Sequence, residues 1–192
     1  AVITKDGSYY SYKEILSTID EIFKNIEGRS LVFCLTQNTL GSFVGYLAFV
    51  QNKIVPLMLN SDLNYEMLEN LISTYNPEYL WIPTKDKKLI NQGKLVLNIY
   101  DYSLIKLSFN KKNILHDDLG LLLTTSGSTG SPKLVKLTYE NIFSNAKSIS
   151  KYLSIDEKER PITSLPMHYS FGLSIINSHI INGATILLTN SS

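Results

Sequence analysis

The chain has 192 residues, 44% of them hydrophobic and 18% charged, with a formal net charge of +1. That balance excludes a disordered or collagen-like chain, and the length suits one domain that can bury its own core. The basic side is almost all lysine, with Arg29 and Arg160 the two arginines, so nothing in the charge points to nucleic acid or to an anionic membrane surface.

In chain order, Ser11 and Glu14 have the spacing of a capping box, and Ile15, Leu16, Ile19, Ile22, Phe23 and Ile26 follow at helical spacing up to Gly28. Leu31 to Leu35 is a short apolar run suited to a buried strand, and Thr39 to Val50 reads as a helix despite its glycines. Ile54 to Leu59 is a strand interrupted by Pro56, Asn64 to Tyr75 a helix, and Tyr79 to Ile82 another strand. Thr84 to Lys88 reads as a lysine-rich turn and Lys94 to Phe109 as a pair of strands. Leu119 to Leu123 and Leu134 to Leu137 read as strands, Thr138 to Leu153 as a helix, and Pro161 to Leu165 as a strand. Gly172 to Asn182 is then a helix and Thr185 to Leu188 a strand. Strands alternating with helices predict an α/β fold with a mostly parallel sheet.

The single Cys34 has no disulfide partner within the chain, the N-terminus turns polar within six residues, and the longest apolar stretches, such as Phe43 to Val50, are far too short to span a membrane. The lone cysteine points to a reducing compartment or simply to no need for bridges, and a cytoplasmic setting is expected. The chain opens on Ala1 rather than Met, so either an initiator Met was removed or the chain begins inside a longer protein, and the stop just after a strand is a mild hint that the natural chain continues.

The most informative segment is TTSGSTGSPK, Thr124 to Lys133, directly after the apolar run LGLLL. Gly127 and Gly130 admit positive φ and close approach, so successive N–H groups can curl around an anion. The hydroxyls of Thr125, Ser126, Ser128 and Thr129 add donors, Pro132 restricts the loop, and Lys133 supplies a compact cation at its exit. The spacing is neither G-x-x-x-x-G-K-[ST] nor G-x-G-x-x-G. A flexible Gly/Ser linker has the same composition, but a position between two strands argues against a linker.

TTSGSTGSPK followed by LTYENI resembles the phosphate-loop signature of the adenylate-forming enzymes: acyl-CoA synthetases, aryl-acid ligases, peptide-synthetase adenylation domains and luciferases. A second stretch, SLPMHYSFGLS from Ser164 to Ser174, is similar to that family's next motif, and ITKDGSYYSYKEI resembles its opening strand, turn and helix. The resemblance runs from Ala1 to Asn190 and implies the first part of the large N-terminal domain, with the small C-terminal lid domain absent. It implies an enzyme that joins a carboxylic acid to AMP from Mg-ATP, releases pyrophosphate, and passes the acyl group to a thiol on CoA or on a carrier protein's phosphopantetheine arm. By the same resemblance Thr125, Ser126, Gly127, Ser128, Thr129 and Gly130 would hold the β- and γ-phosphates. Lys133 would steady the departing pyrophosphate, making Thr129 and Lys133 the catalytic pair, and His168, Tyr169, Phe171 and Gly172 would line the substrate pocket.

Three departures from the family pattern shape the expectation. Leu134 stands where the family usually has glycine. Alignment on Leu165, Pro166 and Phe171 puts the family's histidine position at Tyr169, beside His168. Amino-acid-activating members carry aspartate after the motif's aromatic residue, where this chain has Gly172. An unpaired buried ammonium is costly, so an aryl or alkyl acid is expected over an α-amino acid. His116 and His179 have no partners at ligand spacing, and no transition-metal site is expected. Nor is a nucleic-acid partner or a membrane span. A competing expectation is a non-catalytic module that binds a phosphate-bearing ligand or a partner protein.

Overall fold

The computed structural model describes residues 1–109, 113–124 and 133–189. Its elements alternate as the sequence pattern predicts. Strands β1 (Val2–Ile3) and β2 (Tyr9–Tyr10) lead into helix α1 (Tyr12–Lys24). The capping box is present: the Glu14 N–H donates to Ser11 Oγ at 3.3 Å, and the Ser11 N–H donates to Glu14 Oε2 at 2.7 Å. Ile15, Ile19 and Ile22 are buried, whereas Leu16 and Phe23, on the flanks of the predicted stripe, stay exposed. The chain continues through β3 (Leu31–Thr36), α2 (Leu40–Gln51), β4 (Val55–Asn60), α3 (Tyr65–Tyr75) and β5 (Tyr79–Pro83).

Helix α2 is apolar on all sides and is buried around nearly its whole girth, as a helix with neighbours on both sides must be. Its glycines have a packing reason. A Cβ at Gly45 would lie 2.1 Å from Trp81 Nε1, which donates to the Gly41 carbonyl at 3.0 Å. The expected turn at Thr84 to Lys88 instead contains the start of a one-turn helix, α4 (Lys87–Ile90), because Asp86 accepts from the Leu89 N–H and caps it.

A hairpin follows, β6 (Lys94–Ile99) and β7 (Tyr102–Lys106), then β8 (Leu119–Thr124), β9 (Leu134–Thr138), α5 (Tyr139–Leu153), α6 (Ser170–Ile180) and β10 (Ile186–Leu187). Two predicted boundaries move. Helix α6 begins two residues earlier than its pattern suggests. The strand expected over Pro161 to Leu165 reduces to one bridge between Ile162 and Leu187. Proline lacks an amide donor, and beyond Ile162 the carbonyls of Thr163 and Leu165 accept from the Asn38 side chain instead of a neighbouring strand.

Among the described residues the strands form a seven-stranded sheet, ordered β6-β7-β5-β3-β4-β8-β9, and a three-stranded sheet, β10-β1-β2. Strands β5, β3, β4 and β8 are mutually parallel; β7 and β9 run against their neighbours, and β6 against β7. Five of the seven therefore point one way, and the reversals are the two hairpin partners. Alternate residues of the central strands face two separate cores. Val32, Cys34, Met58 and Trp81 pack with α1 and α2 on one face. Phe33, Leu35, Leu57 and Leu80 pack with Leu68 and Leu71 of α3 on the other. Helices on both faces of a sheet with a parallel centre are what a βαβ pattern with near-continuous apolar strands dictates.

Candidate functional site

Strand β3 is followed by a helix on one face of the sheet, and its neighbour β4 by a helix on the other. Between their C-terminal ends the two connections diverge and leave a crevice, the place where open α/β sheets bind ligands. A cavity of about 480 Å³ lies there. It is lined by Thr36, Gln37 and Asn38 after β3, by Asn60, Ser61 and Asp62 after β4, by Lys85 after β5, and by Ser164, Pro166, His168 and Tyr169. Its floor is well braced. Thr36 Oγ1 donates to the Leu59 carbonyl at 3.0 Å, the Gln37 N–H to Ser42 Oγ at 3.3 Å, and Gln37 Nε2 to Ser61 Oγ at 3.2 Å.

Strand β8 lies beside β4, with Leu57 opposite Leu122 and Met58 opposite Leu123. Thr124, the last residue of β8, therefore ends close to Asn60 at the rim of the crevice. Thr124 pairs with Leu134 of β9, which brings both ends of the intervening segment to this edge of the sheet. Lys133, directly before β9, is exposed. The remaining residues expected to hold phosphates, Thr125, Ser126, Gly127, Ser128, Thr129 and Gly130, lie outside the described residues.

The second motif is divided by the structure. His168 and Tyr169 line the crevice, their rings 4.3 Å apart between centroids and tilted by 44°. Burial of His168 lowers its pKa below the ordinary imidazole value, and the nearby Asp62 charge opposes that shift. Tyr169 is 58% exposed, and Phe171 points outward at 66%. Gly172 is buried, and a Cβ there would meet the Pro166 carbonyl oxygen at 2.3 Å. Glycine at 172 thus has a backbone reason of its own: the segment before α6 lies directly on it.

On the other side of α6, a second cavity of about 520 Å³ runs between α5, α6 and the β8–β9 hairpin. Leu121, Leu123, Leu137, Ile142 and Leu173 give it aliphatic walls, and Asn141, Asn145 and Asn177 add amides. The Ser164 to Ser174 motif therefore separates a polar cavity from a more apolar one. Asn38, Asp62 and Lys85 escaped the sequence reading because each sits among other polar residues in a turn, with no motif to mark it. The signal for the first two was topological: they follow the first two predicted parallel strands.

The model of the AMP-binding enzyme family matches residues 1–192, the whole chain. The chain belongs to the AMP-binding enzymes. A 2-succinylbenzoate–CoA ligase of Bacillus velezensis is 38% identical over 72 residues, which is 38% of this AMP-binding chain and 15% of the relative. A probable CoA ligase of Humulus lupulus, CCL9, is 28% identical over 182 residues, 84% of this chain and 35% of the relative. The crystal structure of ATP-bound MatB from Rhodopseudomonas palustris superposes with a TM-score of 0.81 at 20% identity, over 100% of this chain and 42% of that one. The shared architecture is thus the N-terminal α/β fold of these proteins, and the chain spans well under half the length of each of these three.

Proposed function

We propose that this chain forms part of an ATP-dependent ligase that joins a small carboxylic acid to AMP and passes the acyl group to a thiol. The observation that carries this reading is the siting of the TTSGSTGSPK segment. Thr124, its first residue, pairs with Leu134, the residue directly after it, in the β8–β9 ladder at the C-terminal edge of the parallel strands, beside the crevice lined by the second motif. Thr125 to Gly130 would receive the β- and γ-phosphates, with Thr129 and Lys133 acting on the leaving pyrophosphate; Mg²⁺ would accompany the nucleotide. Positioning and electrostatic stabilisation are then the protein's main contributions.

The acid is proposed to be aryl or alkyl. Position 172 offers no carboxylate for a substrate ammonium, and the aliphatic walls of the α5–α6 cavity suit a hydrocarbon group. The thiol is CoA, in keeping with the names of the relatives, or a carrier protein's phosphopantetheine. The polar crevice beside Tyr169 has the chemistry to receive such an amide-bearing arm. The adenine-side residues and the lid domain are assigned to sequence outside these 192 residues, and the protein to the cytoplasm. Among the described residues no helix is long and apolar enough to cross a membrane. ATP–pyrophosphate exchange by the full-length protein with a panel of aryl, alkyl and amino acids tests the reading. Exchange driven by aryl or alkyl acids is expected, and absence of exchange with every acid would overturn it.

A further inference from the structure

Asn38 sits one residue before the N-cap of α2, yet its side chain does not serve that helix. Nδ2 donates to the Thr163 carbonyl at 2.6 Å and to the Leu165 carbonyl at 3.1 Å, joining positions 125 and 127 residues apart in sequence. The two amide hydrogens thus bracket Ser164, where the second motif begins. On its far side the same segment rests on Gly172, whose missing Cβ admits the Leu165 and Pro166 carbonyls. The stretch leading into His168 and Tyr169 is therefore held between one asparagine and one glycine.

The anchor itself is rigid, since Thr36 and Gln37 are bonded to β4, α2 and Ser61. Asn38 also lines the switch-point cavity. Among the described residues its Oδ1 is buried without a hydrogen-bond partner, as is Nδ1 of His168, which lines the same cavity. Leaving a buried acceptor unpaired costs stability, so an asparagine kept only for packing would be a poor choice here. We infer that Asn38 is a positioning residue for acid activation, fixing where His168 and Tyr169 stand over the crevice by clamping the carbonyls of Thr163 and Leu165. The role rests on the ligase reading above, and small displacements of positioned groups have large effects on rate, with about 1 Å costing up to roughly 100-fold.

The test compares wild type with Asn38→Asp, which keeps the size and removes both donors, in the full-length protein. Asn38→Ala serves as a second variant should the new carboxylate prevent folding. Steady-state pyrophosphate exchange is expected to show kcat/KM for the acid falling about 10- to 100-fold with KM for ATP little changed. Independently of activity, the ring protons of His168 are followed by NMR through a pH titration, in a site that also holds Asp62 and Lys85. Release of the segment should return the His168 titration towards the ordinary value near 6.5. Equal losses for acid and ATP with an unmoved His168 titration would reduce Asn38 to a structural role and overturn the inference. So would variants that match wild type in both readouts. If the wild type exchanges no pyrophosphate, the ligase reading and the assignment to acid activation both fall. The His168 titration still reports whether the clamp exists, so the two failures are told apart.

Discussion

In the second motif, Gly172 is constrained by the main chain packed against it and His168 by its burial. The Pro166 carbonyl oxygen occupies the space a side chain at 172 would need. Gly172→Ala should therefore destabilise the fold by about 1–3 kcal/mol, as overpacking does when the obstacle is main chain rather than a flexible tip. Urea unfolding measures it, and a change within about 0.5 kcal/mol, the level of an ordinary surface substitution, would show that the 164–168 segment yields freely. For His168 the direction of the pKa shift sets the sign of a pH effect. Its folded-state pKa is lowered, chiefly by burial. Above about pH 6.5 the residue is neutral in folded and unfolded chains and costs nothing. As pH falls below that value the unfolded chain takes the proton first, so stability declines until pH passes the folded-state pKa. The comparison is therefore between wild type and His168→Gln: the variant should lose less stability between pH 6.5 and 5. Parallel curves would show that His168 is already solvated.

At the scale of elements, α1 is the helix whose start was most legible. Ser11 and Glu14 announce a capping box and the structure contains it, so Ser11→Ala should cost about 1 kcal/mol, read from the unfolding midpoint. An unchanged midpoint would mean the first turn frays in the folded chain. Central strands were equally legible, because a strand buried on both faces reads as an unbroken apolar run, as in Leu31 to Leu35. What resisted reading depended on distant partners. The glycines of α2 count against a helix locally and make sense only beside Trp81 and the 101–102 turn. Pro161 to Leu165 has the residues of a strand, but beyond Ile162 the carbonyls of Thr163 and Leu165 are taken by Asn38, more than a hundred positions earlier. The proposed site divides likewise: the TTSGSTGSPK signature, proposed to bind phosphates, is local in sequence, whereas the crevice exists only once the order of β3 and β4 is known.

For the whole molecule, the described residues form two apolar cores, one on each face of the large sheet. The isolated 192 residues should therefore melt cooperatively. With one wall of the proposed nucleotide site, they should shift little in melting temperature with millimolar Mg-ATP, since stabilisation follows the ratio of ligand to its dissociation constant. A shift of several degrees would show that this wall binds ATP by itself. The small sheet has a further consequence. Its central strand, Val2–Ile3, hydrogen-bonds on one side to Tyr9–Tyr10 and on the other to Ile186–Leu187. A growing chain leaves the ribosome from its beginning, so the first strand has one partner almost at once and must wait some 180 residues for the other. At roughly 5–20 residues per second that delay is on the order of 10–40 s. During it the parallel centre of the large sheet can assemble while one edge of β1 stays unpaired, an open strand of the kind that invites pairing between molecules. Closing the small sheet is thus a late, long-range event in translation order, and until it happens a nascent chain carries an open edge at β1.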